Sequence, residues 1–168
     1  MTAPTRSEPG WALALFRIAF GLMYLDMAFQ KAPWLNYGWL HGWLEKEIAN
    51  PTFGAYTALL QHVVLPNFGL FGMMTFVTEM ALGLGFLLGA LTRLAGVGGF
   101  LWQANIALGA FNVPGEWGWI WVLLSLPQLC FAAYGAGRTL GLDRWLGPAL
   151  ARRAAGGAGW ARWLGCAT

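Results

Sequence analysis

Apolar residues gather in four long stretches that are separated by polar segments or by short segments rich in Gly and Pro. The stretches cover residues 11–30, 68–90, 93–111 and 117–137. Each is close to the ~20 residues with which a helix crosses a hydrocarbon core. A helix is required because backbone polar groups in lipid must pair within their own segment. The pattern therefore predicts an all-α integral membrane protein, built as a bundle of four transmembrane helices.

The connection between the first two stretches, residues 31–66, is much longer than the other two connections. Trp39, Leu40, Trp43 and Leu44 fall on one helical stripe, and Asn50-Pro51 has the form of a helix cap followed by a first helical residue. We predict two short helices here, lying in the membrane interface. The four spans and their loops form a membrane domain of residues 1–146, and residues 147–168 form a separate basic tail that contains Trp.

Positive charge is distributed unevenly between the two ends of the predicted bundle. One end receives only Lys31 and Lys46. The other end receives seven arginines: Arg6, Arg93, Arg138, Arg144, Arg152, Arg153 and Arg162. Because segments rich in Lys and Arg stay in the cytoplasm, both termini are predicted to be cytoplasmic, and the loop of residues 31–66 faces outward.

Composition supports lipid as the solvent and excludes several classes of function. The chain is 58% hydrophobic and only 10% charged, against about 25% charged residues in a soluble domain. Arginines of the tail alternate with Trp, Leu and Gly, which favours a membrane surface over nucleic acid. Cys130 and Cys166 have no ligand spacing, and no His lies within a span. We therefore expect no metal site, no haem and no covalently bound cofactor.

Polar residues occur near the middle of several spans, where they need partners. A rise of 1.5 Å per residue places Glu79, Gln103 and Gln128 about 14–16 Å from the cytoplasmic end, and Arg17 about 9 Å from it. Small residues flank all four on the same helical faces, as at helix contacts in membranes. We predict that these faces converge in the bundle interior and that Arg17 pairs with Glu79. Such a pair either locks the helices together or serves a quinone head or a proton relay.

Three segments resemble the DoxX/DoxD family of four-span bacterial membrane proteins, which includes the small subunit of thiosulfate:quinone oxidoreductase. The first is Leu15-Phe16-Arg17-Ile18-Ala19-Phe20-Gly21, continuing to Gln30-Lys31. The second is Glu79 followed by the segment from Gly83 to Arg93. The third is Gly135-Ala136-Gly137-Arg138 with Asp143. The order and spacing of these segments carry the resemblance, which covers residues 11–146.

The resemblance implies a membrane subunit of a quinone-linked electron-transfer complex in the bacterial cytoplasmic membrane. Glu79 would relay a proton, and Arg17 would hold its charge or polarise a quinone carbonyl. Quinone contacts would come from Gln103, Gln128, Tyr24 and Trp102, although the last two are equally explained as packing aromatics. The chain carries no flavin, iron–sulfur or c-type haem motif, so it would not act alone and a partner subunit would supply the electrons. The alternative is a non-catalytic accessory subunit of a respiratory or photosynthetic complex.

Overall fold

A computed structural model describes residues 10–168, so Arg6, which was counted in the orientation argument, lies outside the described residues. Within residues 10–168 the regular structure is entirely helical. The α-helices are α1 (Trp11–Gln30), α2 (Leu40–Ala49), α3 (Gly54–Leu59), α4 (Phe68–Leu88), α5 (Thr92–Ala110), α6 (Gly118–Tyr134), α7 (Asp143–Ala155) and α8 (Gly159–Cys166).

Four long helices, α1, α4, α5 and α6, form a bundle in which α1 packs along α4 and α5 packs along α6. Glycine permits this close approach. A Cβ atom at Gly21 would lie 2.5 Å from the backbone nitrogen of Leu87 in α4, and one at Gly96 would collide with the carbonyl oxygen of Gln128 in α6. The aromatic side chains of Phe20, Phe86 and Phe131 fill the centre of the bundle with edge-to-face contacts.

The surface of this bundle is apolar. Only 33% of the apolar stretch in Trp11–Gln30 is buried, and 28% of that in Gly54–Leu88, the two described helices whose length and composition suit a membrane span. A third apolar helix, α6, is shorter. Each bundle helix has a leucine that is more than half exposed: Leu22, Leu70, Leu101 and Leu123. A soluble protein would bury such stretches, so these faces fit a lipid environment.

The loop of residues 31–66 departs from the prediction of two separate interfacial helices. Helix α2 is separate, but α3 continues without interruption into α4, so that Gly54–Leu88 is one helix of 35 residues. Residues Leu60–Val64 form a π-helical turn and Leu65–Asn67 a 3-10 turn within it. Pro66 does not break the helix because it lies in the first turn after this change of winding, where the missing N–H is tolerated.

Two ends of the bundle can be distinguished. The loop side carries α2, α3 and the turn between α5 and α6, and the tail side carries the turn between α4 and α5 together with α7 and α8. The tail folds back on the bundle, because the backbone N–H groups of Arg93 and Leu94 both donate to the carbonyl oxygen of Ala167. The chain after residue 146 is therefore in contact with the bundle.

Candidate ligand cavity on the loop side

A cavity of about 780 Å³ lies on the loop side, between α2 and α3 on one hand and the adjoining ends of α1, α4, α5 and α6 on the other. Most of its wall is apolar, with Met27, Leu44, Leu60, Phe71, Leu101 and Ile120 among the lining residues. The bundle helices turn their buried faces toward this cavity: Glu79 and Gln103, which were predicted to lie in the bundle interior, both line it. An apolar cavity of this size with a few polar groups is typical of a small-molecule site.

A buried ion pair between Lys31 and Glu79 lies in the wall of this cavity. The Lys31 Nζ atom lies 2.5 Å from Glu79 Oε1, and their side chains are 3% and 0% exposed. Lys31 follows the last residue of α1, and its ammonium group also lies 5.0 Å from the centre of the Trp39 ring. Burial of both charges is tolerable because each has its counterion within hydrogen-bonding distance.

The predicted pairing of Arg17 with Glu79 is therefore wrong. Arg17 is fully buried at the tail side, where its Nη2 donates to the carbonyl oxygen of Leu140 at 2.8 Å and its charge interacts with Asp143. Two residues that share one helical stripe, Arg17 and Lys31, thus lie at opposite ends of α1. The residue that was counted as a loop charge is the one that reaches Glu79.

Four buried polar atoms around the cavity have no hydrogen-bond partner within residues 10–168. Two are acceptors, Glu79 Oε2 and Gln103 Oε1, and two are donors, the indole nitrogens of Trp102 and Trp121. Trp102 lies beside the Glu79 carboxylate without completing a hydrogen bond to it. All four residues line the cavity. Because buried polar groups are nearly always paired, this set is suited to a ligand that both donates and accepts.

Tyr24 and Gln128, which were predicted as ligand contacts, do not line this cavity. The Gln128 side-chain nitrogen donates to the Tyr24 hydroxyl oxygen at 3.0 Å and to the Leu124 carbonyl oxygen at 2.7 Å. A Cβ atom at Gly99 would overlap Gln128 Oε1, so the glycine makes room for the amide. Their mutual hydrogen bonds link α1 to α6 within the aromatic core. This geometry gives Tyr24 and Gln128 a structural role, in which their side chains hold α1 against α6.

A second polar assembly, which we call the tail-side clasp, consists of Arg17, Leu91, Thr92, Leu140 and Asp143. The Asp143 carboxylate accepts the backbone N–H groups of Leu91 at 2.7 Å and Thr92 at 2.8 Å, and so caps the N-terminus of α5. Leu91 and Leu140 both have a φ of 50°, which non-glycine residues rarely adopt. The hydrogen bonds to Asp143 and Arg17 hold these two residues in that conformation.

Three residues of the cavity were not predicted as ligand contacts from the sequence: Lys31, Glu47 and Trp121. Trp121 is 9% exposed, whereas Trp117 and Trp119 in the same part of the chain are 59% and 63% exposed. Lys31 was assigned to the loop, although it shares the buried stripe of α1. Glu47 stands in a charged segment of the loop, directly after Glu45 and Lys46, and it is buried in the cavity wall. The stripe on α1 could have revealed Lys31.

These features define a helical membrane protein with a mostly apolar cavity between its helices. The DoxD family, described as the small subunit of thiosulfate:quinone oxidoreductase, matches residues 11–155. The chain belongs to the DoxD family. No curated protein and no solved structure matches it. Within the part of the chain that the structure describes, no cluster of three His, Cys, Asp or Glu side chains could hold a metal ion.

Proposed function

We propose that this chain is the membrane subunit of a quinone-linked electron-transfer complex and that the loop-side cavity takes the quinone head group. The bundle helices would form four spans in the bacterial cytoplasmic membrane, with both termini in the cytoplasm. Membership of the DoxD family supports a quinone-linked membrane subunit. The cavity adds a candidate place for the quinone within this chain.

The observation that carries the proposal is the set of unpartnered polar atoms in an apolar cavity. A quinone presents two carbonyl oxygens that accept hydrogen bonds, and a quinol presents two hydroxyl groups that donate them. The indole N–H groups of Trp102 and Trp121 suit the quinone, while Glu79 Oε2 and Gln103 Oε1 suit the quinol. The same cavity can therefore bind both forms of the ligand without leaving all of its polar groups unpaired.

Glu79 and Lys31 are the residues proposed for the chemistry. Reduction of a quinone takes two electrons and two protons, and Glu79 would relay one of the protons. Its carboxylate accepts a proton as an N–H bond of the Lys31 ammonium breaks, and passes that proton to the ligand, where an O–H bond forms. Lys31 takes the role that Arg17 was expected to fill, since it is the cation next to Glu79 and lines the cavity. A partner subunit would supply the electrons through its own redox cofactor, because the chain carries no flavin, iron–sulfur or c-type haem motif.

The proposal is tested by the binding of a short-chain quinone and of its quinol to the purified full-length chain, measured through the quenching of tryptophan fluorescence. Gln103→Leu removes an acceptor from the cavity wall, and Gln128→Leu is the matched control because Gln128 pairs with Tyr24 away from the cavity. We expect Gln103→Leu to weaken quinol binding about tenfold, for a lost hydrogen bond in a buried site, and Gln128→Leu to leave it unchanged. Equal effects of both variants, or no binding to the wild type, would contradict the proposal.

The second candidate function is that of an accessory subunit without chemistry of its own. Its support is a surface on which several tryptophans are more than half exposed: Trp11, Trp34, Trp117, Trp119, Trp145, Trp160 and Trp163. Such aromatic surface suits contact with lipids or with other membrane subunits. Co-purification with a complex whose turnover survives deletion of this chain would favour this candidate over the first.

A further inference from the structure

Glu47 is a buried carboxyl group on a loop helix. It lies on α2, it is 4% exposed, and it forms part of the cavity wall together with Glu79. Its carboxylate packs against Gly109 of α5, where a Cβ atom would overlap Glu47 Oε2. Any larger residue at position 109 would displace the carboxyl group. The bundle is therefore shaped to receive Glu47.

The environment of Glu47 contains one direct hydrogen bond and no counterion. The indole nitrogen of Trp43 donates to Glu47 Oε1 at 2.7 Å. No Lys or Arg of the described segment lies within salt-bridge distance of it, and the nearby Lys46 stacks instead on the Trp43 ring. The contrast is Glu45, one residue from Lys46, which is 61% exposed and lies 3.5 Å from His41.

Other polar groups that face this part of the cavity come from three further elements. Tyr56 of α3 interacts electrostatically with Glu47 and hydrogen-bonds to Asn105 of α5 at 3.2 Å. Glu116, from the turn that precedes α6, lines the same cavity. None of these groups is a cation. The cost of burying a charge on Glu47 is therefore not offset by a counterion, whereas Lys31 offsets this cost at Glu79.

Burial without a counterion moves the pKa of the Glu47 carboxyl group into the physiological pH range. Burial raises the pKa of Glu47 to about 7, partly offset by the hydrogen bond from Trp43. The same burial, together with the Glu47 charge, raises the pKa of Tyr56 to about 12, so Tyr56 stays protonated. Glu47 is thus the group on this wall that can change its protonation state near neutral pH.

We propose that Glu47 is a proton-exchange residue of the loop-side cavity, passing one proton between the bound quinone or quinol and the water on the loop side. The inference rests on the proposed function. In quinone reduction the partner subunit supplies two electrons. One proton comes from the Lys31 ammonium by way of the Glu79 carboxylate, and the other comes from Glu47, whose O–H bond is replaced by an O–H bond on the ligand. Glu47 then takes up a proton from water, and oxidation of quinol reverses both transfers.

The test measures protons taken up or released when a short-chain quinone or quinol binds to the full-length chain in lipid nanodiscs near pH 7. A bound quinone accepts hydrogen bonds and favours the protonated carboxyl, so binding takes up protons. A bound quinol donates and favours the carboxylate, so binding releases them. Each change amounts to at most about half a proton per ligand for a group that is half protonated beforehand. A pH indicator in weakly buffered solution follows both.

Glu47→Gln keeps an acceptor for the Trp43 N–H group but cannot exchange a proton. We expect it to bind both ligands and to lose the proton changes, whereas Glu45→Gln, on the exposed face of the same helix, behaves as wild type. Gly109→Ala offers a second variant, because the added methyl group displaces the carboxyl while leaving it in the chain. It too should lose the proton changes.

The outcomes separate this inference from the proposed function. Binding with unchanged proton uptake and release in Glu47→Gln would overturn the role of Glu47 and leave the quinone site standing. Absence of binding to the wild type would overturn both. Loss of the proton changes in Glu47→Gln and Gly109→Ala, with binding retained and Glu45→Gln normal, supports the proposal.

Discussion

Replacing Lys31 by Met would leave the Glu79 carboxylate buried without its cation. The two side chains are 3% and 0% exposed and their charged atoms are 2.5 Å apart, so water cannot replace the lost partner. Removing one member of a buried ion pair costs about 3–5 kcal/mol. A chain of this size loses about 2–4 °C of melting temperature per kcal/mol. We therefore expect Lys31→Met to lower the melting temperature by about 6–20 °C.

The assay is thermal unfolding of the purified chain in one fixed detergent, followed by circular dichroism. Glu45→Gln is the control for loss of an exposed charge on the loop side, and it should change little because its partner His41 is also exposed. The informative variant is Lys31→Met combined with Glu79→Met. Replacing both charges by apolar side chains removes the uncompensated ion, so the double variant should recover most of the lost stability.

Two results would refute this reasoning. If Lys31→Met unfolds within about 2 °C of wild type, the substitution lowers the free energy of unfolding by less than about 1 kcal/mol, and the pair is not buried as described. If the double variant is as unstable as the sum of the two single variants, the charges act independently and do not form one coupled pair.

Three further outcomes follow from other parts of the molecule. Because the pKa of Glu47 is raised, folded wild type keeps a proton on Glu47 between about pH 4.5 and about pH 7 while the unfolded chain has lost it, so the stability of the wild type falls as the pH rises through this range. The free energy of unfolding of Glu47→Gln should therefore increase relative to wild type over the same range, and the difference should stay constant at higher pH. Urea titrations at several pH values measure this. Asp143→Ala should cost about 2 kcal/mol, since two buried N–H groups at the start of α5 lose their acceptor; the same titrations, at one pH, measure it. In a Cys130→Ser background, a membrane-impermeant maleimide should label the exposed Cys166 in inverted vesicles and not in intact cells, if the tail is cytoplasmic.

The helices and their buried faces were predictable because both follow from the spacing of residues along one segment. Helix α1 has the predicted bounds, and the others differ by at most a few residues. The predicted stripe on α1 is buried along its whole length, at Arg17, Gly21, Tyr24, Ala28 and Lys31. Small and polar residues at helical spacing identify the interior face of a membrane helix, whatever lies opposite.

The partners across the interior were not predictable in the same way. Counting residues gives the depth of a Cα atom, whereas a long side chain places its charge several ångströms from there. Lys31 stands at the end of α1 and extends its ammonium group into the bundle, to Glu79. Arg17 is satisfied by a backbone carbonyl at Leu140, in a segment whose fold the helical pattern does not describe. The helical period therefore predicts the face of the helix on which a charged residue lies, but not the residue that it contacts.

The cavity and Glu47 depend on a contact between distant parts of the chain. Helix α2 covers the loop side only because Gly109, far along the sequence in α5, leaves room for the Glu47 carboxyl group. In the sequence, Glu47 is one of several charged residues in a short polar segment. Its burial results from how α2 lies on the bundle, which no local pattern of α2 encodes.

The residues that carry the family resemblance divide unequally between the two polar assemblies. Arg17, Leu91, Thr92 and Asp143 lie in the tail-side clasp, and Gly89 and Gly137 provide its space, since a Cβ atom on either would overlap Arg17 or Asp143. Only Met27, Lys31 and Glu79 from those segments line the cavity. The resemblance thus specifies mainly how the bundle is held together at one end. Under the proposed function the ligand would be selected largely by Glu47, Trp102, Gln103 and Trp121, which lie outside those segments. Substitutions at these four positions should therefore change what the cavity binds while the bundle keeps its fold.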